Sequence, residues 1–539
     1  MCTNSPSSSS PSSLPDRCDY LIIGGGATGM AFADTLLHHT NNDDKTSSSS
    51  SECVRPSVVM LDKHPGPGGQ WNDSYDFVRL HQPSNMYGVE STKLEPDDDN
   101  ANNNADTEGE AHRAKRSEIL DYYQRVRQNL EHKFDFHFLG DTTFNMDLIE
   151  NGNTDDGTAP DVEYKLDEKR SIRAKKVVDA RYLEPDLPVH VGPKFTFNSD
   201  KINCIPVNSL PTSTSFATID KGTSTTSEVK QNYVIIGAGK TGMDAIVYLL
   251  EQGRVDPDDI MWIVPHEAWI TARENIGSCM ELLHTCTKET QKSSSGGASK
   301  SSSVTSKEFF QNGFLKWEMQ GKVYRFDKDI LPTKFKDATL SKSELALLQQ
   351  VKRVVRNGRV KSIEDDGTLT FADGTTLDLP WSSSSTKDTT FIHCSAGAFN
   401  YSKQTQKPPP IFGPNRISVQ DVYGTPGFCF VGSVIGRLET ITNLSDEEKN
   451  AMCLCPIPDA SQAKLPLGPS GGDIGIISSD HGLVQRLSNL RTWMTQKEMR
   501  EWIVKNRLFN LRHCSAEEID TMVQDMWTFL EDSNVVSRE

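Results

Sequence analysis

The sequence predicts an α/β protein in which two nested units, each built on a parallel sheet, are followed by a helical C-terminal extension. Three observations carry this prediction. Tyr20–Gly29 reads YLIIGGGATG and Tyr233–Gly242 reads YVIIGAGKTG, so a short apolar run enters a Gly-x-Gly-x-x-Gly turn twice in one chain. Each turn opens into apolar residues at helical spacing: Met30, Phe32, Leu36 and Leu37 after the first, and Met243, Ile246, Leu249 and Leu250 after the second. Near the C-terminus, Trp493, Met494, Met499, Trp502, Ile503, Leu508, Met526, Trp527 and Leu530 repeat at helical spacing.

A strand, a glycine turn and a helix start make up the opening of a Rossmann-like dinucleotide-binding unit. Gly24 and Gly237 permit the tight turn, and Gly26 and Gly239 let a pyrophosphate approach bare backbone. Gly29 and Gly242 let the helix pack close to the strand. Lys240 and Thr241 stand at the start of the second helix, where free N–H groups and the positive dipole end face the phosphates.

Composition sets the outer limits. The chain has 539 residues, enough for several domains with a large core, and a formal net charge of −17. That balance argues against non-specific binding to nucleic acid or to anionic membranes. The eleven cysteines follow no disulfide or zinc spacing, and Cys453-x-Cys455 is read as incidental. A reducing compartment, hence a cytoplasmic protein, is expected. No apolar run is long enough to span a membrane, and the Ser-rich start lacks the charged and apolar regions of a secretory signal. Residues 1–16 are expected to form a disordered tail. Asn41–Ser51, Asp97–Glu110, Thr212–Lys230, Ser293–Ser306 and Ser382–Ser385 are expected to be polar surface insertions.

After the first helix, Ser57–Asp62 reads as the second strand, with Asp62 at its end to take ribose hydroxyls and Lys63 beside it. Gly68, Gly69, Gln70 and Trp71 follow, then Tyr75 and the stretch Arg79-Leu-His-Gln-Pro-Ser84. A helix is predicted over Ser117–Lys133, and strands over Phe134–Leu139, Val162–Leu166 and Ala174–Asp179. In the second unit, strand Ile260–Val264 ends 22 residues beyond Gly242 with no acid directly at its end. That absence tilts the site toward NADP, with Arg273 as the cation for the 2′-phosphate. Glu267 speaks for NAD. Residues 307–355 read as mostly helical, Val360–Asp378 as a hairpin, and Phe391–Phe399 and Gly427–Ser433 as apolar strands.

The glycine fingerprint, the acidic strand end, Gly-Gly-x-Trp and then Tyr-x-x-x-Arg-x-His-x-Pro-Ser together resemble the flavin-containing and Baeyer–Villiger monooxygenase superfamily. RLHQPSNMYGV looks like a branch of FAD/NAD(P)-binding oxidoreductases, and the resemblance runs over roughly residues 18–455. It implies an FAD-binding domain in two parts, 17–205 and 389–460, around an NAD(P)-binding domain at 231–388, with the helical extension at 480–539. The implied cofactors are FAD and NADP, with NAD as the alternative, and the implied partners are a small-molecule substrate and molecular oxygen. Gly69, Gln70, Trp71, Ser84 and Gly432 would lie near the flavin. His81 and Arg79 are the candidates for the reactive face, His81 because histidine changes charge near neutrality.

Two departures matter. Ala180 is followed by Arg181 and Tyr182 where the superfamily has Ala-Thr-Gly. Phe195–Pro206 lacks the Gly and His of the Phe-x-Gly-x-x-x-His signature. Cofactor binding is untouched by the second departure, but oxygenation is separated from it. Three functional classes follow: a monooxygenase-like enzyme, an NAD(P)H reductase or oxidase without substrate oxygenation, and a non-catalytic redox sensor. Transfer to a disulfide needs paired thiols near the flavin, and Cys279 and Cys286 match that poorly.

Overall fold

A computed structural model describes residues 14–40, 55–95, 112–144, 149–151, 161–166, 170–182, 184–210, 231–276, 278–295, 306–381, 388–395, 409–423, 428–455 and 483–532. Residues 1–13 of the expected tail and most of the expected polar insertions lie outside these residues, as do Phe399 and Gly427.

The first sheet grows from the strand β1 (Arg17–Ile23), whose inner residues Leu21, Ile22 and Ile23 are buried. Its neighbours are β2 (Val58–Leu61), β3 (Phe136–Leu139), β4 (Ile149–Asn151), β5 (Val162–Lys165) and β6 (Ser171–Asp179), in the order β3-β2-β1-β6-β5-β4. The central pairs are parallel; β4 and β5 turn antiparallel. Helix α1 (Ala27–His39) follows β1, and α2 (Arg116–Lys133) begins within one residue of its predicted start.

The chain then leaves this sheet through β7 (Thr196–Phe197) and β8 (Cys204–Pro206). β9 (Asn232–Ile236) is buried along its whole length and leads into α3 (Lys240–Glu251). β10 (Ile260–Ile263) pairs parallel to β9 in register Ile260 with Tyr233. Beyond it come β11 (Ala268–Ala272), α4 (Cys279–Ser295), α5 (Ser306–Met319), β12 (Val323–Tyr324), β13 (Lys334–Leu340), α6 (Lys342–Leu348) and β14 (Arg353–Val355). A meander of β15 (Val360–Ile363), β16 (Leu369–Phe371) and β17 (Thr376–Leu377) confirms the predicted hairpin. β18 (Thr389–His393) completes a parallel sheet in the order β14-β10-β9-β18-β8.

Several sequence expectations are corrected here. Both β8 and β18 pair within the second sheet, so residues 204–205 and 389–393, expected in the two parts of the first unit, lie in the sheet of the second. The first sheet is instead rejoined by β19 (Arg416–Ser418), which pairs with β6. Residues 334–340 form a strand inside the stretch read as mostly helical, with β12 and β14 on either side of it in sequence.

The apolar run after residue 427 is the helix α7 (Phe428–Glu439), not a strand. A continuous apolar stretch fits either state, because a helix buried all round shows no polar face. α7 is buried against α1. Gly432 makes the approach possible: a Cβ there would sit 2.3 Å from the Thr28 carbonyl oxygen. Gly432 is therefore a helix-packing residue.

The C-terminal extension is helical: α8 (Asp446–Ala451) precedes it, and α9 (Leu483–Thr495), α10 (Lys497–Ile503) and α11 (Ala516–Asp532) form it. Trp493, Met499, Ile503, Phe509 and Leu511 are buried in the same core as α1 and α7.

Candidate functional site

At the first glycine turn, Gly24 takes a left-handed conformation at φ 103°, which glycine alone adopts without strain. A Cβ on Gly29 would lie 2.0 Å from the Gly24 carbonyl oxygen, so the helix start is pressed against the turn. The Gly68–Trp71 loop covers this turn. The Gly68 N–H donates to the Gly25 carbonyl at 2.8 Å, and a Cβ on Gly69 would meet the Gly26 Cα at 2.8 Å. The two glycine stretches named from the sequence are thus one backbone-to-backbone contact.

Asp62 is buried at the end of β2. Its carboxylate accepts the Gly25 N–H at 2.6 Å, the His64 N–H at 2.8 Å and His64 Nδ1 at 2.9 Å. His64 Nε2 reaches Asp73 at 2.8 Å, and His190 reaches the same Asp73 oxygen at 3.1 Å. Burial raises the Asp73 carboxyl, but bonds from His64 and His190 outweigh it and hold the group below its ordinary range. Lys63 is exposed and pairs with Glu184 at 2.7 Å. Gln70 is exposed, and its carbonyl accepts the Ser74 hydroxyl. Trp71 is buried and donates its indole N–H to the Tyr87 hydroxyl at 2.7 Å.

Ser84 is fully buried. Its hydroxyl donates to the His112 carbonyl at 3.0 Å and accepts the Ala114 N–H at 2.8 Å. Both bonds tie its loop to the chain before α2, so Ser84 serves the loop's own shape rather than presenting a hydroxyl to a ligand.

The second turn repeats the first. Gly237 lies at φ 131°, and a Cβ on Gly242 would lie 2.3 Å from the Gly237 carbonyl oxygen. It differs at the middle glycine: no atom lies within 4 Å of a Cβ built on Gly239. The face of the second turn is open where the first is covered. Beside it lies a hollow lined by Ala238, Met243, His266, Glu267 and Phe326, at the end of β10. Glu267 accepts the Arg356 guanidinium at 2.6 Å, and Arg356 also reaches Asp327 at 3.3 Å.

Arg273 is elsewhere, which corrects its assignment as the phosphate clamp. It is buried and donates to Glu344 at 2.6 Å, to the Thr339 carbonyl at 3.3 Å and to the His81 carbonyl at 3.1 Å. Glu344 sits among three cations: Arg273, Arg113 at 3.1 Å and Lys240 at 3.7 Å. Lys240 also pairs with Asp244 one turn along α3, and Asp244 accepts the Tyr75 hydroxyl at 2.7 Å. Thr241 also bonds the Tyr75 hydroxyl. Burial acts to raise the Glu344 carboxyl, but Lys240, Arg273 and Arg113 outweigh it and hold the group well below the usual carboxylate range.

His81 joins this cluster from the first unit. Burial, then the Lys240 charge, push its imidazole down to about 4, with Asp244 opposing and Arg273 and Arg113 adding to the fall. The ring is therefore neutral near neutrality and does not switch charge there, contrary to the sequence expectation. Arg79 is two residues from His81, and its charge, like that of Arg113, is felt by Glu251 in α3. Its backbone bridges to Lys115.

Glu344, Asp244, Arg113 and Arg356 were missed from the sequence. Ser341-x-x-Glu344 is legible as a capping box, and the Ser341 and Glu344 bonds form it. Nothing in that spacing announces the cations that Glu344 gathers from distant segments.

Among the described residues, no group of histidine, cysteine and acidic side chains has the arrangement of a metal site, and no helix is long and apolar enough to cross a membrane.

No family model matches the chain. It is 29% identical over 503 residues to the uncharacterized protein Rv2000 of Mycobacterium tuberculosis, a match covering 91% of this chain and 77% of that protein. The same figures hold for the uncharacterized protein Mb2023 of Mycobacterium bovis. Among solved structures, it is similar to a flavin-containing monooxygenase from Stenotrophomonas maltophilia at 14% identity, covering 82% of this chain and 100% of that one, with a TM-score of 0.41. An OTEMO complex with FAD and NADP is 14% identical, covering 78% of this chain and 82% of that one, at a TM-score of 0.43. Cyclohexanone monooxygenase is 15% identical, covering 79% of this chain and 88% of that one, at a TM-score of 0.42.

Proposed function

We propose that this chain is an FAD-dependent NAD(P)H oxidoreductase of monooxygenase-like type. The observation that carries the reading is the pair of glycine turns, each joining a buried parallel strand to a helix whose third glycine presses on the turn. That backbone suits the pyrophosphate of a dinucleotide, because bare N–H groups at a helix start stabilise anionic oxygens.

FAD is assigned to the first turn. Gly24, Gly26 and Gly29 shape its backbone, Gly69 and Trp71 cover it, and Asp62 stands at the ribose end. The nicotinamide nucleotide is assigned to the second turn, where Gly239 is open and Lys240 adds a cation at the start of α3. With Arg273 engaged elsewhere, the residues for the adenosine end are Glu267 and Arg356. NADP is the preferred partner, because no acid stands directly at the end of β10 and Arg356 brings a cation there; Glu267, paired with Arg356, is the residue that favours NAD. When bound, the flavin accepts hydride and passes electrons on; the protein binds, orients and excludes water. His81 and its cationic neighbours lie where the two units meet. There Lys240, Arg273 and Arg113 supply fixed positive charge, and His81 is a neutral ring rather than a titrating acid or base.

A second reading, an oxidase or reductase that inserts no oxygen, is favoured by Phe195–Pro206. This stretch lacks the oxygenase signature and is used instead as β7 and β8. One experiment addresses both readings: the visible spectrum of the purified full chain, mixed with NADPH without oxygen and then exposed to air. A yellow protein that bleaches and recovers is expected, with Gly26→Val losing the flavin. Protein that stays colourless after FAD is supplied overturns the assignment. Peroxide formed one for one with NADPH consumed, across a panel of ketones, amines and sulfides, selects the oxidase.

A further inference from the structure

The C-terminal extension spends one arginine entirely on a loop of the first unit. Arg507 lies between α10 and α11 and donates to four backbone carbonyls of one short segment. These are Asn85 at 3.2 Å, Tyr87 at 2.9 Å, Val89 at 2.5 and 3.0 Å, and Thr92 at 2.8 Å. A guanidinium has five N–H donors in a fixed fork, so a single side chain can satisfy carbonyls that have no ladder partner. Trp502, buried in α10, adds its indole N–H to Glu90 at 3.0 and 3.1 Å. From the opposite side the Tyr122 hydroxyl accepts the Val89 N–H at 2.7 Å and donates to Thr92 at 2.8 Å.

The segment held in this way carries Tyr87, whose hydroxyl accepts the indole N–H of Trp71. Trp71 ends the loop whose Gly68 and Gly69 lie on Gly25 and Gly26. A continuous set of contacts therefore runs from Arg507 through Tyr87 and Trp71 to the first glycine turn.

We propose that Arg507 is a positioning residue for the first dinucleotide site, setting the placement of the Gly68–Trp71 loop over the glycine turn from the other end of the chain. This rests on the assignment of FAD to that turn, and part of its test does not. Four carbonyls converging on one cation is more than tethering of a terminal helix needs, because the extension already shares a core with α7: Phe430 stacks on Trp502 with ring centroids 6.0 Å apart and on Phe509 at 5.3 Å.

The test compares Arg507→Ala, Arg507→Lys and Arg500→Ala in the full chain. Arg500 pairs only within the extension, with Asp520 at 2.7 Å and the Met494 carbonyl at 3.2 Å, and so controls for loosening of the extension itself. Two quantities are read: the dissociation constant for added FAD, and amide hydrogen exchange at residues 68–71. Arg507→Ala is expected to weaken FAD at least tenfold and to speed exchange at Gly68 at least tenfold, with NADPH affinity unchanged. Arg507→Lys, with three donors and no fork, should recover part of both. Arg500→Ala should change neither. Unchanged exchange at residues 68–71 in Arg507→Ala overturns the proposal, as does an equal effect from Arg500→Ala. If the unsubstituted chain binds no FAD, the assignment of FAD falls, and the exchange comparison still decides whether Arg507 places the loop.

Discussion

His81 shows how far a residue's chemistry departs from its type. Alone, an imidazole titrates near neutrality; here burial and the cations around Glu344 hold it down to about 4. A histidine lowered in the folded state is protonated first in the unfolded chain. Its contribution to stability is therefore complete above pH 6.5 and is lost as the pH falls toward 4. Glu344 acts at lower pH: its carboxyl is depressed, so its contribution is present above its ordinary value near 4.5 and is lost below it. Between pH 6.5 and 5 the loss thus reports on His81 apart from Glu344. At about 1.4 kcal/mol for each pKa unit, and with some solvent screening, the full loss stays below about 3 kcal/mol. His81→Gln should make the denaturant midpoint fall less steeply between pH 6.5 and 5, the remaining slope including His393, which burial also lowers. An unchanged slope in that variant would place the acid sensitivity on another group.

At the scale of elements, two glycines that look alike in sequence do different work. Gly432 lets α7 lie against the first turn of α1, and any side chain there meets the Thr28 carbonyl. Gly432→Val should therefore fail to give folded protein or lower its melting temperature by several degrees, about 2–4 °C for each kcal/mol of an overpacking cost of about 1–3 kcal/mol or more. Gly239 sits at φ −85°, where any residue is comfortable, with open space around it. Gly239→Ala should melt within a few degrees of the parent yet raise the KM for NADPH at least tenfold, because the added methyl occupies the face offered to the pyrophosphate. Equal NADPH kinetics would remove the second turn from the binding site. The apolar run of α7 was misread as a strand because its residues are buried on every side, which leaves no periodicity to read. Helix α2 was legible almost to the residue because one face is buried and the other charged.

In the whole molecule, the two sheets meet across α3. Tyr75 reaches Asp244, Phe77 stacks on Tyr248 with ring centroids 3.9 Å apart, and Arg273 bonds the His81 carbonyl. Apolar side chains of both units share one continuous core alongside these polar contacts, and removing the stack tests how much of the coupling it carries. Removing the stack costs about 0.5–1.5 kcal/mol beyond the lost apolar area. Phe77→Ala is expected to split one denaturant transition into two, with tryptophan fluorescence and far-UV circular dichroism no longer coincident. A single shared transition would mean that the charged cluster suffices to couple the units.

Local order in the chain determined a good deal. Both strand–glycine turn–helix openings, the ends of β2 and β10, the hairpin after Val360 and the helical extension were all legible, because steric demands and apolar periodicity act over a few residues. Only the tertiary structure decided that Thr389–His393 and Cys204–Pro206 pair with β9's sheet, that Arg273 serves Glu344 instead of a phosphate, and that His81 stays neutral. The same holds for Arg356 beside Glu267 and for Arg507 on the loop before α2. Each depends on charge, burial or strand pairing between segments far apart in sequence, and those energies have no signature in the spacing of neighbouring residues.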